Sequence, residues 1–458
     1  MPGRRRALAS LAELANLMSF PLVPTVAALV LGSAPHAHAA PAADPSPTLA
    51  PSTLDPDLLA DDQALIDLVW TRSPEVLLAR GQASAAQAEV VRAGLYPNPE
   101  LSLDASSLPL GGAPAEIDSP WRDGPALGVG LGWTLELGKR APRQRLAKAG
   151  FDTALGQARV VAEDRFFELL SVLSRLAMAE LRADAMSGLI AQSQALLDLQ
   201  EKRAQAGDIA QTEVAKAELE HARLAAQQGT ALSEREEARG RCAQLVGLAC
   251  PAFTPPAARA WVDRALAYTL PSTLTPELQA AHPELQALDA EARQARALAD
   301  VASSAAIPDL GLRAGYAYNS LPGNIAHTAS LGVSIPLTFA SRGQAEAAQS
   351  QAELQRIGAQ RDARIATAAR AIETAQRRLD LARQRTRGID QTLERARALT
   401  ETLTTALQRG AGNLADLLIA RRAIQEIQLD RLATLELALD AVLDARREAG
   451  LAPRPRTP

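Results

Sequence analysis

Aromatic residues are scarce in this chain: Phe, Trp and Tyr make up 3% of 458 positions. Conventional domains use such residues to fill a core, so the shortage argues against two or three ordinary globules despite the length. Long helices packed through alanine-lined seams suit the composition better. Charge of one sign is missing as well. The formal net charge is −4, and no basic face stands out to hold a nucleic acid. Histidine and cysteine are few, with His221, His282 and His327 scattered at no metal-ligand spacing. No nucleophile motif or phosphate-cradling loop appears. The chain therefore reads as a non-enzyme, with no metal site and no cofactor.

Long hydrophobic runs are also lacking. The longest lies at the N-terminus, where Arg4, Arg5 and Arg6 precede the apolar stretch Phe20–Gly32, and Ala37-His38-Ala39 offers small residues at a cleavage spacing. About thirteen apolar residues with two prolines cannot span a hydrocarbon core of roughly 30 Å as a helix. Residues 1–39 are expected to be an export signal. A protein exported this way that sits in a membrane must cross it with strands. The only cysteines, Cys242 and Cys250, lie far from the cleavage site, which argues against a lipid anchor. In an oxidising compartment the pair can form a disulfide. In one continuous helix they would stand about 10 Å apart, too far to bridge, but Gly247 and Pro251 predict that the helix ends between them. Two buried free thiols are the alternative.

What is present is a duplication. Leu127 to Leu137 alternates apolar with small or polar residues and runs into a very long Ala-rich helical stretch; Ala329 to Phe339 does the same about two hundred residues later. A second alternating strand precedes each, at Leu101–Ser107 and Leu310–Tyr318. The expected organisation is a flexible lead-in over 40–60, then a first repeat over 61–250. That repeat holds a helix at Asp61–Gly94, two strands within 100–137 and a helical hairpin over 141–247. An irregular linker over 251–275 leads to a second repeat over 276–448, with a helix at Pro276–Ala305, strands within 309–339 and a hairpin over 341–448. Residues 449–458 are expected to be a disordered tail. Gly207 and Gly410 mark the hairpin turns. In the last helix Leu432, Leu435, Leu439 and Val442 fall at the 3-4-3 spacing of a coiled-coil seam.

Two strand pairs cannot close a barrel alone, and an isolated four-stranded sheet with an apolar face would aggregate. Strands of about ten residues, apolar on one face and small or polar on the other, match a lipid-facing barrel wall with a wet lumen. Three chains would contribute twelve strands. Trp121, Trp133, Tyr316 and Tyr318 gather around the strands, as interfacial girdles do.

The arrangement over 60–447 resembles the TolC-type outer-membrane efflux channels. The strand exit Leu135 to Arg140, with Arg143 beyond it, is similar to that of the heavy-metal-efflux branch of that family. Gly207 with Glu213 six positions on, and Gly410 with Asp416 six positions on, repeat the family's hairpin pattern. The resemblance implies a mostly α protein with a small β part: a homotrimer whose twelve-stranded β-barrel in the outer membrane continues as a periplasmic α-helical barrel. It also implies a periplasmic adaptor and an inner-membrane RND-type pump as partners, with heavy-metal cations as cargo and no energy transduction in the duct itself. Asp416, and Glu213 as its counterpart, are the candidate pore constriction. A ring of like charges there would select cations and resist closing unless bridged. Arg409 and Arg421 are candidate tip partners, the tip being closed at rest by interhelical salt bridges. Three positions beyond Asp416, where some relatives carry a second acid, stands Ile419. Two other readings remain: the outer-membrane duct of a type I protein-secretion system, and a soluble periplasmic coiled-coil scaffold.

Overall fold

The computed structural model describes residues 59, 61–106, 126–321, 324–340 and 342–456, so the export signal, nearly all of the lead-in and Trp121 lie outside the described residues. The first repeat comprises helices α1 (Asp62–Arg72) and α2 (Pro74–Ala93), strands β1 (Glu100–Ser106) and β2 (Ala126–Leu135), and the hairpin α3 (Arg140–Gln205) and α4 (Gln211–Val246). Helix α5 (Pro255–Leu266) connects it to the second: α6 (Pro276–Ala281), α7 (Pro283–Ser304), β3 (Leu310–Leu321), β4 (Asn324–Ser334), α8 (Gln344–Gln408) and α9 (Leu414–Glu448).

The leading helix of each repeat is broken where a single helix was expected, and in both cases by proline. Proline clashes with a helical residue before it; accordingly Ser73 (ψ 125°) and His282 (ψ 119°) are extended ahead of Pro74 and Pro283. The strands end sooner than the alternation suggests. Gly138 (φ +76°) turns the chain after β2, and Pro336 follows the end of β4 and has no N–H for a ladder.

The linker is not irregular. Thr254 caps α5 and Pro255 begins it, and Ala258, Trp261 and Val262 are buried. Nor is the tail disordered as far as Arg456. Gly450 (φ +66°) ends α9 so close to His282 that a Cβ would come within 2.9 Å of its Cα. The chain then runs along α1, where Gln63 Nε2 donates to the Arg454 carbonyl (2.8 Å) and the Arg456 N–H donates to Asp67 Oδ1 (2.8 Å).

The four strands form one antiparallel sheet in the order β1-β2-β3-β4, so the two repeats join edge to edge through β2 and β3. Pairing of Val129 with Tyr316 and of Tyr316 with Ala329 aligns Leu103, Leu131, Trp133, Leu331 and Val333 with them on one face. That face is bare: Leu103 is 77% and Leu331 90% exposed. Trp133 lies at the helix side of this face, with Tyr316 about 13 Å and Tyr318 about 20 Å away along the strands at 3.3 Å per residue. The longer spacing is close to the height of a lipid-facing band between aromatic girdles.

Helix α3, 66 residues, is about 100 Å long. The main core sits midway along it, where Phe166, Phe167, Leu169, Leu173 and Met178 meet Leu65 and Trp70 of α1, Trp261 of α5 and Leu439 of α9. In the α9 seam Leu432 and Leu439 join this core, whereas Val442 packs with Leu379 and Ala382 of α8. Cys242 and Cys250 are disulfide-bonded with Cα atoms 6.0 Å apart, because α4 ends at Gly247 (φ +67°) and the chain doubles back. Closing so short a loop is worth about 2–3 kcal/mol in the chain-entropy treatment. Cys242→Ser with Cys250→Ser is therefore expected to lower the thermal unfolding midpoint of the helices. Circular dichroism melts with and without reductant check this, since the double variant should also lose any response to reductant.

Candidate functional site: the hairpin ends and the sheet-to-helix junction

At the junction, α3 starts with basic residues that hold the end of α2. Arg140 donates through Nε (2.9 Å) and Nη2 (2.6 Å) to the Gly94 carbonyl, and lies 4.2 Å over the Tyr96 ring. Arg143 reaches the Ala93 (3.2 Å) and Leu95 (3.1 Å) carbonyls and pairs with Glu136, while Lys139 pairs with Asp309 at 2.8 Å. Cations at free C-terminal carbonyls of a helix are favourable on both hydrogen-bond and dipole grounds. The second repeat solves the same corner by contact instead. A Cβ at Gly343 (φ +80°) would collide with the Ala302 carbonyl, so only glycine lets α8 begin there. The strand-exit motif thus clamps barrel strands to helices in one repeat only.

At the far end the two hairpin turns are built alike. Gly207 (φ +80°) and Gly410 (φ +76°) occupy left-handed positions. Asp208 N–H donates to the Arg203 carbonyl (2.9 Å) and Ala411 N–H to the Ala406 carbonyl (3.0 Å), the same six-to-one closure. Asn413 caps α9 through the Ala415 N–H (3.0 Å). Small apolar clusters zip the ends: Leu197, Val214 and Ala217 in the first hairpin; Leu407, Leu414, Leu417 and Leu418 in the second, joined there by Leu196 of α3.

Both candidate constriction acids lie in the first turn of a return helix, where the helix dipole favours an anion. Their surroundings differ. Glu213 is half-buried and paired with Lys216 at 2.6 Å. Asp416 is exposed and has no ion-pair partner among the described residues. Three positions on, the counterpart of Lys216 is Ile419, which is 65% exposed.

Neither candidate arginine meets Asp416. Arg409 is exposed, and Arg421 turns toward α3, donating to the Gln192 carbonyl at 3.1 Å. Burial in the cleft between α3, α8 and α9 pushes the Arg421 guanidinium below its ordinary pKa.

The bridge that does join the hairpins was not apparent from the sequence. Glu220 on α4 is buried and receives Arg422 of α9 through Nε (2.9 Å) and Nη2 (2.7 Å), and Arg223 at 2.7 Å. Arg223 also donates to Gln425 Oε1, and Gln425 Nε2 to Gln227 Oε1. Burial pushes the Glu220 carboxyl up, but hydrogen bonds and charge from Arg223 and Arg422 outweigh it and hold it below the usual range. The network stands about 13 Å from the turns, at 1.5 Å per residue. Farther up, Arg182 of α3 bridges Glu234 of α4 and Glu436 of α9. Only the i,i+3 spacing of Glu220 and Arg223 was visible in sequence, and that spacing is common on solvated helices.

No helix among the described residues is long and apolar enough to cross a membrane, and no group of His, Cys, Asp or Glu among them could hold a metal ion. A model of the family described as Outer membrane efflux protein matches residues 274–446. Protein CyaE of Bordetella pertussis is 32% identical over 337 residues, 68% of each protein. In structure, the chain is similar to CusC (TM-score 0.66, 14% identity, 85% of this chain and 92% of that one). It is equally similar to the outer membrane channel CmeC of Campylobacter jejuni (0.66, 14%, 87% and 87%). The open-state outer membrane channel MtrE of Neisseria gonorrhoeae matches at 0.64, with 18% identity and 86% and 91% coverage. The fold is thus that of channels with a β-barrel in the outer membrane and helices extending into the periplasm. With bare apolar strands, glycine-turned helical hairpins and a relative of this identity and coverage, the chain belongs to the outer membrane efflux protein family.

Proposed function

We propose that the chain is the exit duct of a tripartite efflux system, a homotrimer that takes cargo from an inner-membrane RND-type pump through a periplasmic adaptor. The observation that carries this is the free apolar sheet, whose edges at β1 and β4 pair with nothing among the described residues: four strands need partners to bury those edges, and three copies make a twelve-stranded wall. Acidic first turns at both hairpins favour cations, and the junction residues Leu135 to Arg143 resemble the heavy-metal-efflux branch, so the proposed cargo is heavy-metal cations. In the trimer Asp416, with no ion-pair partner among the described residues, forms the constriction, and Glu213, neutralised by Lys216, contributes less. The Glu220 network ties α4 to α9 and holds the tip closed until the adaptor displaces it.

A deletion strain tests the cargo. It is expected to become sensitive to copper, silver, zinc, cobalt or nickel salts and to recover with the intact gene. Unchanged metal tolerance, with loss of a secreted polypeptide instead, would assign the duct to protein secretion. Asp416→Ala tests the constriction. Removing three carboxylates from the axis should weaken block by divalent cations in planar bilayers roughly tenfold, the effect of about 1.4 kcal/mol of lost attraction. Block as strong as in the parent removes Asp416 from the constriction.

A further inference from the structure

The face of the sheet opposite the apolar one is lined almost entirely by small side chains. Ser102, Gly130, Gly315 and Ser330 form one row across the four strands, and Ser106, Ala126, Asn319 and Ala326 another. One row differs. Glu100, Gly132, Arg313 and Gly332 stand in line, with both charged residues exposed and two strands apart, about 10 Å.

The glycines of this row differ from those of its neighbours. A Cβ at Gly130 would come within 2.6 Å of Ser102 Oγ, and one at Gly315 within 2.8 Å of Ser330 Oγ, so the serine hydroxyls would have to turn aside. At Gly132 and Gly332 the nearest atom would be 3.9 Å away. A side chain would fit, and its absence leaves Glu100 and Arg313 room to extend. Charged groups just below the sheet are matched, Lys139 with Asp309 and Arg143 with Glu136. Glu100 and Arg313 have no ion-pair partner among the described residues.

We propose that Glu100 and Arg313 form a mixed-charge constriction inside the barrel, which discriminates small ions by sign separately from the tip. The proposal rests on the trimeric channel reading. In a twelve-stranded wall two strands separate Glu100 from Arg313 in either direction, so three carboxylates and three guanidiniums alternate around the wall. Strand tilt of about 40° offsets the two sets along the axis by roughly 6 Å and gives a wall of about 12 Å radius. Charges extending from that wall lie within about one Debye length of any ion on the axis at 0.1 M salt.

The reversal potential of full-length channels in planar bilayers under a KCl gradient tests this. The parent carries Asp416→Asn and Asp104→Asn so that neither the tip carboxylates nor those farther along the barrel mask the constriction. Glu100→Gln is expected to lower the potassium-to-chloride permeability ratio roughly twofold, and Arg313→Gln to raise it by a similar factor. Arg313→Lys, which keeps the charge, should leave the ratio at the parent value, and the double glutamine variant should return near it. Conducting channels whose ratio ignores both glutamine substitutions would overturn the constriction. A parent chain that inserts but never conducts, even with Glu220→Gln added to release the tip, would sink the channel reading, and the constriction with it.

Discussion

Glu220→Gln is expected to shift the channel toward its open form by roughly thirtyfold. The substitution keeps the shape of the side chain and removes its charge, so Arg223 and Arg422 are left facing each other without the anion that joins them. Charge-assisted hydrogen bonds of this kind are worth about 2 kcal/mol when half-exposed arginines are involved, and that energy moves a two-state equilibrium by the stated factor. The readout is the frequency and dwell time of large-conductance openings in planar bilayers. Glu236→Gln is the control: its partners Arg235 and Arg239 sit on the same helix at a solvated face, where such pairs contribute little. Equal gating in the two variants would remove the Glu220 network from the closing mechanism.

A second large effect is expected in the middle of α3, from a buried carboxyl. Glu163 is 6% exposed, and one of its oxygens, Oε1, has no hydrogen-bond partner among the described residues. Burial pushes its carboxyl up to about 8; Asp164 and Glu284 add to the rise, and Arg364 and Arg447 partly offset it. Between the ordinary value of 4.5 and about 8, the folded chain therefore keeps a proton that the unfolded chain has released. The stability contributed by the neutral acid is complete below the lower value and is lost as pH rises toward the higher one. The slope is about 1.4 kcal/mol per pH unit, so roughly 4 kcal/mol should disappear between pH 5 and 8. Glu163→Gln carries no titrating proton and should flatten that fall. Unfolding midpoints of the detergent-solubilised protein across this range decide it. Parallel pH profiles for parent and variant would show that Glu163 ionises like an exposed acid.

Much of the architecture was legible because it depends on patterns with a short period. Alternation at Leu127–Leu135 and Leu310–Tyr318 could only be strands with one apolar face, and the long proline-free stretches after Pro142 and after Pro336 could only be helices. The hairpin turns were legible for a stereochemical reason: Gly207 and Gly410 sit at left-handed φ, which other residues adopt at a cost. Where the reading failed, local chemistry outweighed the pattern. Pro74 and Pro283 split helices whose apolar spacing continues through them. Thr254 with Pro255 started a helix in a proline-rich linker, and the tail settled on α1 through backbone groups that carry no side-chain signature.

The candidate site divides along the same line. The acids after each glycine were visible as a repeated interval, but their inequality was not. Lys216 and Ile419 stand at the same i+3 interval in sequence, but that Lys216 turns back to pair with Glu213 is seen only in the structure. Arg421 and Asp416 are close in sequence, yet five residues turn a helix by about 140° beyond a full circle, so the side chains diverge. Glu220 and Arg422 are about two hundred residues apart and meet only because duplicated hairpins pack side by side.

By itself, then, the duplicated sequence determined a tube wall: strand pairs that must find partners, hairpins with glycine turns, and acids near their ends. Periodicity and backbone stereochemistry act within a few residues and need no knowledge of neighbours. Tertiary structure alone decided which charges are paired, which are free and which are buried. Ion pairing depends on distances of a few ångströms between segments that sequence order does not relate, and those distances are set by packing.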